Sequence, residues 1–160
     1  MSKLIKEMKE QFNFEVESGY IYLAMSAYFK EIELEGFAQY MFVQAHEEFE
    51  HARDFYNFLF DIEERPEYEE IRKPRNEYDG LEEAFSEALE HEMEVTRRIE
   101  ALYGLAIEEK NYKVVQFLGK YVTEQVEELN KFRTIARRLE RIDANWVGLY
   151  ALDKELATMK

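Results

Sequence analysis

Gln44-Ala45-His46-Glu47-Glu48-Phe49-Glu50-His51-Ala52 is the stretch whose reading decides the fold. It lies inside an apolar stripe that runs Leu34, Ala38, Met41, Ala45, Glu48, Ala52, Phe55, Leu59. Steps of three and four alternate, which is the core-facing seam of a bundled helix. Glu48 occupies a seam position, so its carboxylate points inward. Glu48 and His51 are three apart and share one helix face, where both can bind one metal ion. A lone Glu-x-x-His is common on helix surfaces; an instance whose Glu interrupts an apolar seam is not surface decoration.

Three further stretches repeat the pattern. The first reads Ile5, Met8, Phe12, Glu15, Gly19, Tyr22, Ser26, Phe29; the third reads Leu81, Phe85, Ala88, Glu92, Val95, Ile99, Leu102, Ala106; the fourth reads Val114, Leu118, Tyr121, Gln125, Glu128, Phe132, Ile135, Leu139, Ile142. Counting turns from the helix ends puts Glu15, Glu48, Glu92 and Gln125 in one layer near mid-bundle. An ionised carboxylate in such a place costs several kcal/mol unless it is paired. No Lys or Arg occupies any of the four seams. A cation held between the helices is the simplest compensation. Glu15, a bridging Glu48 and His51 would make one metal position, and Glu48, Glu92 and Gln125 a second, weaker one. Oxygen-rich ligation with a single imidazole favours Fe, Mn or Zn over copper or nickel.

The chain has 160 residues, enough for one domain over 1–160 with a real core. Six glycines, two prolines and 35% charged residues suit amphipathic helices and no strands, an all-α fold. Seams one and two are joined by Glu31 to Gly36, and seams three and four meet around Glu109-Lys110-Asn111, so each pair is an antiparallel hairpin. Between the hairpins lies a linker, roughly Glu64 to Gly80, with both prolines, Pro66 and Pro74; it is long enough to cross the length of a bundle. A short fifth segment carries Trp146, Leu149, Tyr150, Leu152, Leu156 and Met159. It has no place inside a four-helix bundle and is expected to pack elsewhere. The absence of cysteine removes thiolate metal sites and disulfides. The net charge of -14 disfavours nucleic acid and anionic membranes as partners. No apolar run suits a membrane span, and the first turns hold no apolar signal core, so a cytoplasmic location is expected.

At Glu15-Val16-Glu17-Ser18-Gly19-Tyr20-Ile21-Tyr22-Leu23, Gln44 to Ala52, His91-Glu92 and Phe117 to Glu128, the chain resembles the prokaryotic non-haem ferritins over essentially its whole length. The resemblance implies a ferritin-like four-helix bundle with one long crossover and a short fifth C-terminal helix. It implies an iron-storage protein whose ferroxidase centre oxidises Fe2+ with O2, or with H2O2 in its place, and keeps ferric mineral in a hollow homo-oligomeric cage of 24 subunits. Glu15, Glu48 and His51 would hold the first iron, and Glu48, Glu92 and Gln125 the second. A third iron site would fall on Glu47, Glu124, Glu127 and Glu128. Tyr22 matches the family tyrosine beside the centre. Gln125 and Glu128 stand where a second Glu-x-x-His would make the symmetric pattern of bacterioferritins and rubrerythrins. Phe49 replaces the haem-ligating methionine of bacterioferritins, so no haem is expected. Glu17 departs from the aromatic residue expected after Glu15-Val16, and the Glu63 to Glu67 region lacks the usual glycine pair.

His46 and His91 point away from the Glu48 and Glu92 faces and read as structural or supporting residues. Glu108 and Glu109 suit a helix end or an acidic channel mouth equally. Two rival readings stand beside the ferritin: a scaffold bundle whose buried carboxylates are protonated or paired, and a dimeric di-iron oxidoreductase acting on an organic substrate.

Overall fold

Ser2 fixes where the first helix starts: its hydroxyl accepts the Ile5 amide at 3.1 Å. Asn111 and Asn145 do the same for later helices through Val114 and Gly148. The computed structural model describes residues 1–159, and Lys160, the last residue of the expected domain, lies outside them. It holds five helices: α1 (Lys3–Glu31), α2 (Glu35–Asp61), α3 (Leu81–Glu108), α4 (Tyr112–Ile142) and α5 (Trp146–Leu156). No strand occurs among the described residues. The first three helices end alike. Glu33, Glu63 and Lys110 take positive φ, and the next amide reaches back to Phe29, Leu59 or Ala106. That is the six-to-one closure of a helix C-terminus, made here without glycine.

α1 and α2 form one antiparallel hairpin, α3 and α4 the other. The crossover runs along α1 from end to end. Lys9 meets Glu64 and Glu67, Asn13 holds Glu69, Glu17 holds Arg72, and Tyr28 packs edge-on to Tyr78. The chain therefore leaves α2 beside the start of α1 and enters α3 beside its end. α2 and α3 run parallel as a result, and the expected long crossover is present. Glu17, the departure noted in the sequence, is one of its anchors.

The seams are buried as read, apart from Leu81, Glu128 and Ile142, which are half-buried. Two apolar clusters fill the bundle. One holds Phe29, Phe37, Phe85 and Phe132, the other Leu4, Met8, Phe55 and Leu118. The polar layer lies between them. Gly19 lets α1 and α2 close together there: a Cβ on it would sit 2.4 Å from the Phe49 ring.

α5 corrects the expectation that it packs away from the bundle. Leu149, Leu152 and Leu156 are buried in the first cluster, closing the end of their own bundle. A Cβ at Gly36 would fall 1.7 Å from the Asp153 carbonyl oxygen, so only glycine admits α5 at that position. The Asp153 carboxylate accepts the Phe37 amide at 2.8 Å and caps α2, which has no cap of its own. Trp146, Val147 and Tyr150 face outward.

Candidate metal centre

Glu15 from α1 and Glu48 and His51 from α2 bring their ligand atoms within 4.8 Å of one another. Nδ1 of His51 lies 3.7 Å from Glu15 Oε2 and 3.5 Å from Glu48 Oε2. Its other nitrogen faces Glu124 at 3.5 Å, and its ring meets Tyr121 edge-on. Glu15 and Glu48 are only 1% and 2% exposed. Oε2 of each has no hydrogen-bond partner, which leaves two buried acceptors aimed at one space. Such oxygens call for a cation or a proton.

The metal-free state answers with protons. Burial and then the charge of Glu15 push the Glu48 carboxyl far above its ordinary range. Burial works the same way on Glu15, but contacts from His51, Glu48 and Gln11 outweigh it and hold that carboxyl low. Burial opposes charge on His51, yet Glu15 and Glu48 outweigh it and raise the imidazole to about 11. His51 and Glu48 thus hold protons more readily than their ordinary values would allow, and Glu15 less readily. A divalent ion entering here would displace protons rather than fill a void.

The second expected set is joined internally. Glu92 is fully buried; one of its oxygens accepts the Tyr22 hydroxyl at 2.6 Å, the other Nε2 of Gln125 at 3.1 Å. Gln125 also donates to Thr96 Oγ1. Burial raises Glu92 to about 7 against the pull of these two hydrogen bonds. Burial and the Glu92 charge push the Tyr22 hydroxyl far upward, so it stays a donor. His91 buttresses this corner: it contacts Ser18 Oγ at 2.7 Å, stacks on Phe14 and meets Tyr22 edge-on. Burial lowers its pKa and keeps it neutral.

The four residues of the third expected set do not converge. Glu124 and Glu127 are exposed, while Glu47 and Glu128 are partly buried on facing helices. Lys131 Nζ lies 3.3 Å from Glu128 Oε1. Burial and then Glu128 raise the Glu47 carboxyl, and the Lys131 ammonium pulls it back. His46 corrects its expected supporting role: it is on the surface, beside Glu50 at 3.9 Å. Glu109 accepts the Leu4 amide at 3.1 Å and so finishes the start of α1.

Sequence reading missed four contributors. Gln11 donates to Glu15 at 3.0 Å, and its spacing of four from Glu15 was the available signal. Thr96 stands four after Glu92 in the same way. Tyr121 donates to Asp54 at 2.7 Å, and Lys131 reaches Glu128 from beside the seam. Lys131 stands three after Glu128, again an available signal, whereas the Tyr121–Asp54 pairing between two helices left no periodic trace.

Comparison with known proteins agrees with this geometry. The family model described as a ferritin-like domain matches residues 5–142. A bacterial non-heme ferritin of Staphylococcus haemolyticus is 36% identical over 154 residues, spanning 96% of this chain and 93% of that one. An open pore ferritin from the archaeon Archaeoglobus fulgidus superposes with a TM-score of 0.97 at 36% identity, covering 100% of this chain and 99% of that one. A closed form of the Archaeoglobus ferritin, engineered by mutagenesis, gives 0.95 at 36%, over 100% and 98% of the two chains. A buried carboxylate layer between two helical hairpins, a full-length crossover and likeness over nearly the whole chain together mean that this protein belongs to the ferritin family.

Proposed function

We propose that this chain is the subunit of a cytoplasmic iron-storage ferritin and that its polar layer is a ferroxidase centre, with Fe2+ and O2 as substrates. The observation that carries this reading is the pair of partnerless oxygens on Glu15 and Glu48, facing His51 in a nearly dry layer. Glu15, Glu48 and His51 hold the first Fe2+. Glu48, Glu92 and Gln125 hold the second once Glu92 loosens from Tyr22 and Gln125. Each Fe2+ gives one electron to O2, and a pair at one site supplies two in a single encounter. The protein's part is to bring like charges together, exclude bulk water and release protons from His51 and Glu48 as cations enter. Until the second ion enters, Tyr22 orients Glu92 through its hydroxyl. Glu47, Glu124, Glu127 and Glu128, which do not converge in the metal-free chain, form a third, looser station only when an ion draws them together, and the product collects in a hollow homo-oligomer of 24 chains.

Glu48→Ala tests the reading. It removes the only carboxylate that can bridge both positions, so rapid Fe2+ oxidation in air should be lost in stopped-flow absorbance. His51→Ala should slow the reaction less completely, since carboxylates remain. An unchanged initial rate in Glu48→Ala refutes the di-iron assignment.

A further inference from the structure

Ile99 on α3 and Val122, Val126 and Leu129 on α4 wall a cleft of about 220 Å³ where these two helices meet. Its floor is polar but uncharged: Thr96 and Gln125 line it, and Gln125 is 4% exposed. Gln125 Nε2 donates to Thr96 Oγ1 at 3.0 Å and to Glu92 Oε2 at 3.1 Å, and Thr96 donates to the Glu92 carbonyl oxygen at 3.0 Å. Gln125 thus touches both the cleft and the carboxylate of the polar layer. Of the two charged residues at the cleft's edge, Glu100 is exposed and Arg133 is turned along α4, donating to Asn130 Oδ1 at 3.2 Å. Other approaches to the layer are charged. Glu7, Glu10, Arg97 and Arg98 line the groove outside Gln11, and Glu124 stands outside His51.

We propose that this cleft admits O2 to the second metal position, by a route separate from that of the ions. The inference rests on the ferroxidase reading above and adds to it where the neutral substrate enters. A hydrated cation would give up water in the cleft and find no charged oxygen in its walls to replace it. O2 is neutral and apolar, so exchanging water for aliphatic walls favours it. The size also fits: apolar cavities of about 150 Å³ take up xenon or benzene, and O2 is smaller than either. Gln125 and Thr96 close the floor in the metal-free chain. The second ion, by taking Gln125 as a ligand, draws the amide off Thr96 and opens the floor beside Glu92. O2 then meets two Fe2+ rather than one.

Xenon reads the cleft without metal or turnover. Crystals of the metal-free full chain under xenon pressure should show an anomalous peak between Ile99, Val122 and Leu129. Two variants then obstruct the route. Val126→Trp puts an indole at the mouth, where Val126 is 61% exposed and a larger side chain leaves the bundle intact. Val122→Phe fills the cleft from its wall. Each chain is loaded with Fe2+ under nitrogen and mixed with graded O2 in stopped flow. The second-order rate constant for O2 should fall about tenfold in one variant or both, with calorimetric Zn2+ binding as in wild type. An unchanged O2 dependence in both variants overturns the proposal, as does a wild-type crystal with no xenon in the cleft. A slower rate that comes only with lost Zn2+ binding overturns it too, because the layer and not the cleft has then changed. If wild type oxidises Fe2+ no faster than protein-free buffer, the ferroxidase reading has failed and the proposal falls with it, whatever xenon shows.

Discussion

Glu92→Gln in the metal-free protein separates a buried charge from a merely polar residue. Glu92 is raised from 4.5 to about 7, with burial as the main cause. The folded state thus holds the proton more tightly than the unfolded one. Its advantage is complete below about pH 4.5, falls as pH rises between the two values, and is gone above about 7. At 1.36 kcal/mol per tenfold change, the ionised form carries about 3 kcal/mol of penalty at pH 8. Glutamine removes that penalty. It also turns one donor toward either Tyr22 or Gln125, each of which must then accept, at a cost of about 1 kcal/mol. The variant should therefore gain about 2 kcal/mol at pH 8 and show no gain or a small loss at pH 5. In a chain of this length that is a rise of roughly 4–8 °C in melting temperature at the higher pH. Calorimetry of chelator-treated wild type and variant, at one subunit concentration and both pH values, reads it. A shift of the same sign and size at pH 5 and pH 8 would refute the argument, because a charge penalty must follow ionisation.

Zn2+ at a hundredfold excess over its dissociation constant should stabilise the wild type by about 2.7 kcal/mol, and the gain should shrink toward acid pH as His51 and the carboxylates keep their protons; no shift in melting temperature at any pH would mean that the layer binds no metal. Glu92→Gln should diminish this Zn2+ effect. Deleting the chain from residue 145 onward should destabilise the subunit itself, since it exposes the core around Leu149, Leu152 and Leu156 at roughly 2 kcal/mol each and strips α2 of its cap. Asp153→Ala alone should cost about 1 kcal/mol by denaturant unfolding, and Gly36→Ala more, because its Cβ meets backbone rather than a movable side chain. An unchanged denaturation midpoint in the deletion would contradict the packing described for α5.

The sequence by itself determined the helices, their inward faces and the level of the polar layer. Periodicity is a local property: the spacing of Glu48 within an apolar stripe states that its carboxylate is buried, whatever it faces. The same logic made Glu15, Glu92 and Gln125 legible. Tertiary structure decided the partners. That Glu15 is held low by His51, Glu48 and Gln11 while burial and the Glu15 charge push Glu48 upward depends on how two helices set these groups against one another. Tyr121 on α4 donates to Asp54 on α2, and only the approach of the two helices reveals that pairing. α5 is amphipathic in the sequence, but its docking needs Asp153 to meet the bare backbone at Gly36, a contact between residues more than a hundred positions apart. Burial follows from pattern because one helix carries the whole signal. Pairing does not, because its energy belongs to two elements whose relative position the pattern of either one leaves free.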